Sequence, residues 1–303
     1  MTITVPHLAT LPASRAAATP GARSIDDDRL GLTNAELAGR VDAAAAFMVE
    51  HGVGPGDVVA TILSNRVELV VAMFAAWRIG AALTPVNPGL TPSEASYQID
   101  DASASLVIHE GTDATRDGTP FVHVDDVPSD HHGVATLAPI APDLGALALL
   151  IYTSGTTGKP KGVELDHANL VAMVQMIIDS VTLDETDHCL LILPLFHVNA
   201  IVVSVLSPLA SNSSTTITGR FSPATFFDTV EAVRPTFFSA VPAIYQLLSA
   251  LPDDVEPDTS SLRFVICGAA PMPAEAIERF EQRFGTVLIE GSGLSEGTCA
   301  STI

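Results

Sequence analysis

The sequence predicts an α/β fold whose sheets are mainly parallel and covered on both faces. Three observations carry that expectation. Short β-branched runs alternate with helical ones along most of the chain, caps and glycines mark where the helices begin and end, and 303 residues of 47% hydrophobic composition supply enough apolar surface for one or two compact subdomains.

Taken in order, residues 1–29 lack the basic start and continuous apolar core of an export signal and read as a flexible N-terminal segment. Thr33 and Glu36 then form a capping-box pattern ahead of a helix that Gly52 is placed to end. A β-branched strand at 57–63 follows, with Ser64 and Asn65 as candidate caps for a helix running to Gly80. The next unit has a strand at 81–86, a helix opened by Thr91-Pro92-Ser93-Glu94 and extending to about Asp101, and a strand at 105–109. Residues 111–143 are rich in Asp, Pro, Gly and Thr around a short apolar piece at 121–124, and read mainly as surface connection. Their adjacent His131 and His132 have no third ligand at a recognisable spacing and read as solvated loop histidines, not a metal site. Further strands are expected near 148–152, 189–193, 215–218, 236–239, 264–267 and 286–289, with helices between most of them.

Charge and cysteine usage exclude several classes of function. Fourteen Lys and Arg against 35 Asp and Glu leave a net charge of -21, which repels nucleic acid and anionic bilayers alike. The most membrane-like stretch, 189–210, carries Pro194, His197, Asn199 and Pro208, and so reads as a strand, a turn and a buried helix without membrane insertion. Cys189, Cys267 and Cys299 are odd in number and form no CxxC pair, so neither a disulfide framework nor a zinc ribbon is indicated and a cytoplasmic location fits best.

The chemistry concentrates in YTSGTTGKPKG at 152–162, directly after the apolar run ALALLIY. Glycines let backbone N–H groups turn toward an anion, hydroxyls donate further hydrogen bonds, and ammonium groups offset polyphosphate charge. Lys159 and Lys161 are the only lysines in the chain, and both fall in this loop. A plain flexible loop accounts for neither that pairing nor the buried strand before it. The GxxxxGK[ST] phosphate loop fails at two positions: Thr153 stands where its first glycine belongs, and Pro160 stands where it needs a magnesium-binding hydroxyl.

With these residues in view, the sequence resembles the adenylate-forming superfamily of acyl-CoA and aryl-CoA synthetases, luciferases and peptide-synthetase adenylation domains. The stretch 152–162 is similar to that family's phosphate-loop signature. PLFHVNA at 194–200 resembles its acyl-pocket motif, CGAAPM at 267–272 its adenine-pocket strand end, and GSGLSEGT at 291–298 its magnesium motif. The resemblance runs from about Leu30 onward.

It implies two packed αβ subdomains with mainly parallel sheets, the family's N-terminal domain. One subdomain, 57–220, carries the phosphate loop; the other, 30–56 plus 221–303, carries the adenine and magnesium motifs. It also implies roles. Thr153, Ser154, Gly155, Thr156, Thr157, Gly158 and Lys161 hold the β- and γ-phosphates of ATP, with Lys159 less constrained. Gly268, Ala269 and Ala270 line the adenine, Ser295 bonds the α-phosphate, and Glu296 holds Mg²⁺, a hard cation that takes carboxylate and phosphate oxygens. His197 lies beside the substrate carboxylate, where peptide synthetases place an aspartate for the amino group, so an acid without an α-amino group is expected, a fatty acid first among them, with aryl acids and short dicarboxylates left open. The activity implied is formation of an acyl-adenylate followed by transfer to the thiol of coenzyme A. The alternative is a non-catalytic nucleotide- or acyl-binding module derived from such an enzyme. Two departures stand out. Ser292 occupies the place of an adenine-stacking aromatic ring, and the sequence stops at Ile303, so the family's C-terminal domain with its adenylation lysine is absent and these 303 residues are expected to bind better than they turn over.

Overall fold

The computed structural model describes residues 4–111, 118–130, 143–153 and 159–302. Along the chain the first strands are β1 Arg23–Asp26, β2 Gly31–Thr33, β3 Val58–Ile62, β4 Ala82–Val86, β5 Leu106–His109 and β6 Phe121–His123. They are followed by β7 Leu147–Thr153, β8 Lys161–Asp166, β9 His188–Leu191, β10 Ser214–Ile217, β11 Phe237–Ala240, β12 Phe264–Cys267 and β13 Val287–Glu290. These build a seven-stranded sheet of order β13-β12-β11-β9-β10-β1-β2 and a six-stranded sheet of order β6-β5-β3-β4-β7-β8. Neighbours pair in parallel except β1 with β2 and β7 with β8. The mainly parallel α/β architecture expected from the alternation of elements is what forms.

Local signals act as their chemistry requires. Thr33 and Thr91 each close a full capping box with Glu36 and Glu94, starting the helices Asn34–Glu50 and Pro92–Asp101. Gly52 and Gly80 adopt φ of +85° and +77° beyond the ends of their helices, a region that costs an L side chain strain. The helix Val67–Arg78 buries ten of its twelve residues, the pattern of a helix covered all round. It joins the helices Asn34–Glu50 and His167–Val181 and the helical run 198–210 in one core that also takes side chains from both sheets. A second cluster around Phe226, Phe238, Tyr245 and Phe280 covers the other face of the seven-stranded sheet.

The run 198–210 widens into a π-helical turn at Val202–Leu206 before Ser207–Ala210. Pro208 explains this: without an N–H it cannot bond the Ser204 carbonyl, which instead accepts a hydrogen bond from Thr215 Oγ1 at 2.8 Å. Among the described residues no helix is long and apolar enough to cross a membrane.

Several expectations are corrected. The N-terminal segment read as flexible is structured over residues 4–29: Leu11–Ala18 is a helix, and β1 pairs in parallel with β10. Arg15 fastens it, 2% exposed, donating to Asn34 Oδ1 and to the carbonyls of Leu209 and Ser213. No periodicity announces such a clamp, because its partners lie far along the chain. Ser64 and Asn65 do not cap the following helix, whose N-cap is Arg66 without a side-chain bond. The apolar piece at 121–124 is in part the edge strand β6, and His131 and His132 lie outside the described residues. Sheet membership also divides the chain otherwise than at residue 220: β9 and β10 belong to the seven-stranded sheet with β1 and β2. The chain changes sheets after β8, through His167–Val181, and a βα rhythm reads the same whichever sheet receives the next strand.

Two predictions follow from this packing. Arg15→Met strips two backbone carbonyls of their buried partner and lowers unfolding stability by about 3 kcal/mol in urea titrations, whereas exposed Arg279→Met changes it by less than about 0.5 kcal/mol. His167 and His188 are each held at about 4, below the usual 6.5, chiefly because burial disfavours the charged ring, with His7 and Arg23 respectively adding repulsion. The unfolded chain therefore binds more protons than the folded one between these values. Stability is complete above pH 6.5 and declines as pH falls toward 4, and the decline is shallower in His188→Gln, whose amide replaces the ring's bonds to Ser214 and Thr216.

Candidate functional site

The segments singled out by sequence converge at the carboxyl ends of the parallel strands, the usual location of ligand sites in open α/β sheets. In the six-stranded sheet β7 and β8 form an antiparallel hairpin whose last paired residues are Thr153 and Lys161. That register closes the glycine-rich loop to a narrow span and puts Lys161 at its exit, exposed. Gly162 follows because a Cβ there would stand 2.9 Å from Leu150 Cδ1. Ser154, Gly155, Thr156, Thr157 and Gly158 lie outside the described residues.

In the seven-stranded sheet the order of connections reverses beside β9, which has β10 on one side and β11 on the other. The loop leaving β9 at this switch point carries His197. Asn65 from the other sheet secures the loop, donating to the Leu193 and Thr218 carbonyls and accepting from the Leu195 N–H at 2.8 Å. His197 precedes the helix Val198–Ile201 without spending its ring on a cap. Its ring packs on Phe196 at 4.5 Å and loss of water lowers its pKa, although the residue as a whole remains exposed. A neutral imidazole at a site mouth can donate its one ring N–H to a carboxylate or its ester.

The ends of β12 and β13 are tied in sequence. Gly268 N–H donates to Ala240 O, Gly291 N–H to Cys267 O, and Met272 N–H to Glu290 Oε1 at 2.7 Å. Between them Ala269 holds φ +69°, a left-handed conformation in a residue with a Cβ, while Thr298 and Cys299 hold +68° and +141°. Strained backbone that the surroundings enforce concentrates at functional sites. Ser292 is exposed and pairs through its backbone with Thr302, folding 292–302 back on itself. Gly293 lies so close to the returning strand that a Cβ would stand 1.6 Å from Cys299 O. The turn Ser295–Gly297 carries exposed Glu296 and packs against β8, the strand that begins with Lys161.

Thr153, Lys161, Ser295 and Glu296 are therefore on contacting elements, and Gly268 lies beside Gly291, which opens the segment leading to that turn. Sequence reasoning missed Asn199, which joins three site segments: its Oδ1 accepts from Ser239 Oγ at 3.1 Å, its Nδ2 faces the Cα hydrogens of Gly268, and its side chain reaches the buried Cys299 thiol, itself pushed up to about 12 by burial. The available signal was an amide inside an otherwise apolar run. A cavity of about 540 Å³ lies elsewhere, at the opposite ends of β3, β4 and β7 among His7, Asp57, Trp77 and His167. It takes no part in this arrangement.

Among the described residues no cluster of three or more His, Cys, Asp or Glu stands ready to hold a metal. A lone carboxylate beside an anion cradle nevertheless fits Mg²⁺, which keeps several waters and is completed by substrate phosphates.

A glycine-rich hairpin facing a carboxylate turn across two mainly parallel sheets is the architecture of the N-terminal domain of adenylate-forming enzymes. Solved structures with this fold include the N-terminal domain of FACL13 from Mycobacterium tuberculosis, at TM-score 0.87 and 24% identity over 96% of this chain and 77% of that one. The ATP-bound RpMatB-BxBclM chimera B1 matches at TM-score 0.85 and 26% identity, over 96% of this chain and 60% of that one. The chain belongs to the AMP-binding enzyme family, whose model matches residues 13–303. Among curated relatives, a feruloyl-CoA synthase of Amycolatopsis sp is 33% identical over 95% of this chain and 59% of its own length. A probable CoA ligase, CCL9, of Humulus lupulus is 32% identical over 88% of this chain and 54% of its own length. The chain thus spans somewhat more than half the length of these relatives.

The close approach at Gly293 yields a prediction. Gly293→Ala forces the 298–300 backbone away and lowers stability by about 1–3 kcal/mol in thermal or urea unfolding. Gly297→Ala, whose Cβ would meet only ordinary contacts of 3.4 Å or more, serves as the control and changes stability far less.

Proposed function

We propose that this chain is the nucleotide- and acid-binding part of an AMP-forming CoA ligase, which activates a carboxylic acid with ATP and passes the acyl group to coenzyme A. The observation that supports the reading is the contact of the Glu296 turn with β8, the strand that begins with Lys161 at the exit of the glycine-rich loop.

A carboxylate cannot acylate a thiol directly because its leaving group would be oxide. Attack of the carboxylate oxygen on the α-phosphorus of ATP forms a mixed anhydride with AMP and releases pyrophosphate. In this reading Thr153, the loop 154–158 and Lys161 hold the β- and γ-phosphates, and Ser295 donates to the α-phosphate. His197 orients the acid, while Gly268, Ala269 and Ala270 line the adenine. Glu296 would hold Mg²⁺, which supplies charge neutralisation at the phosphates when bound. These groups act by positioning and electrostatics, and no protein nucleophile is required. The thiol of coenzyme A then attacks the acyl carbon and AMP leaves.

The apolar run 198–210 gives no separate support to a fatty acid. That run is buried in the core from Ala200 through Ala210, so its apolarity is accounted for by packing. The side chain it turns toward the site is Asn199, bonded to Ser239. We therefore favour a small polar or aryl carboxylate over a long alkyl acid. Relatives named for ferulate, 4-coumarate and oxalate support that choice.

The test is MgATP binding by calorimetry. Lys161→Ala weakens binding about tenfold, equivalent to about 1.4 kcal/mol, and Glu296→Gln removes the dependence of affinity on Mg²⁺. Unchanged affinity in both variants defeats the reading. Acid-dependent ATP–pyrophosphate exchange, run with ferulate, oxalate and a long-chain fatty acid, ranks the acids.

A further inference from the structure

The helix Pro92–Asp101 lies outside every motif considered so far, yet it touches both stems of the glycine-rich loop. On the entry side the Tyr152 hydroxyl donates to Asp101 Oδ2 at 2.8 Å. On the exit side the Tyr97 hydroxyl donates to the Pro160 carbonyl at 3.3 Å, and Lys159 Nζ stands 5.6 Å from the centre of the Tyr97 ring. Tyr97 and Asp101 are four residues apart on one helix and so share a face. An ammonium group over an aromatic face is attracted by the ring quadrupole. The helix is itself firmly started by its capping box and by Pro92 at its first position, and Ile99 anchors it against β3 and β5 in a small cluster with Ala60 and Val107. Burial and the Asp101 charge both push the Tyr152 hydroxyl's pKa upward, so it remains a hydrogen-bond donor at neutral pH.

We propose that helix Pro92–Asp101 is the positioning element of the phosphate loop: Asp101 holds the entry stem through Tyr152, and Tyr97 holds the exit stem through Pro160 and Lys159. The two lysines then have different tasks. Lys159 is an anchor directed at the ring, and Lys161 is the ammonium left for the triphosphate. This division rests on the function proposed above. It also accounts for a residue pair, Tyr97 and Lys159, that a loop of purely phosphate-binding lysines leaves unexplained.

Two measurements test it on the chain as it is. Hydrogen exchange at the Thr153 and Lys161 amides reads the anchoring without any nucleotide: Tyr97→Leu speeds exchange there, Tyr97→Phe does so less because it keeps the ring, and amides of the distant β12 are unchanged. Equal exchange in wild type and Tyr97→Leu overturns the anchoring. Affinity for ATP and for AMP reads the consequence. Tyr97→Leu weakens ATP binding about 3- to 10-fold and leaves AMP, which has no β- or γ-phosphate, within about twofold, and adding Lys159→Met to Tyr97→Leu causes no further loss. Additive losses from the two substitutions show Lys159 acting on the phosphates by itself and overturn the division of labour, as does an equal loss for ATP and AMP. If wild type binds neither nucleotide, the functional proposal fails, and the exchange result still decides the anchoring.

Discussion

The candidate site depends on a single constraint, the clamping of two separately hydrogen-bonded sheets so that their carboxyl ends open on the same side. Buried helices provide the clamp's body. Val67–Arg78 and the run 198–210 are enclosed by side chains from both sheets, and removing apolar surface from water on every side of a helix is among the largest stabilising terms a domain of this size possesses. Asn65 provides its registration. Three hydrogen bonds from this one amide cross from the six-stranded sheet to the loop after β9 and to Thr218, so the position of His197 is set by a residue 132 places earlier in the chain.

Once the sheets are clamped, backbone geometry at their ends does much of the positioning. The segments after β12 and β13 contain left-handed Ala269, Thr298 and Cys299, and a glycine at 293 that admits no side chain. Such conformations persist only where hydrogen bonds overdetermine them. Here those bonds are the Gly268, Met272 and Gly291 N–H donations that bind each strand end to its neighbour. The phosphate-loop side is organised differently. Its stems are an antiparallel hairpin, whose register confines the loop, and a flanking helix that meets both stems through Tyr97 and Asp101.

Much of this was legible in advance because its causes are local. Thr33 with Glu36 and Thr91 with Glu94 started helices where the capping box placed them, and the β-branched runs became strands to within a residue or two. The loop 152–162 stood out through composition, since the two lysines in a chain of 303 residues fell together among glycines and hydroxyls. Less legible were groups whose partners are remote. Arg15 sat in a segment read as flexible, Asn65 was taken for a cap, and Asn199 was noted only as an interruption of an apolar stretch. In each case one polar side chain meets backbone or side chains tens to hundreds of residues away, and no periodicity records such a meeting.

By itself, then, the sequence determined the kinds of element, their order and the family whose motifs it carries, because propensity, capping and composition act over a few neighbouring residues. Only the tertiary structure decided which sheet received β9 and β10 and that the Glu296 turn lies on β8. Strand pairing and helix burial are settled by competition among distant surfaces of nearly equal local character. That choice is made when the whole chain packs.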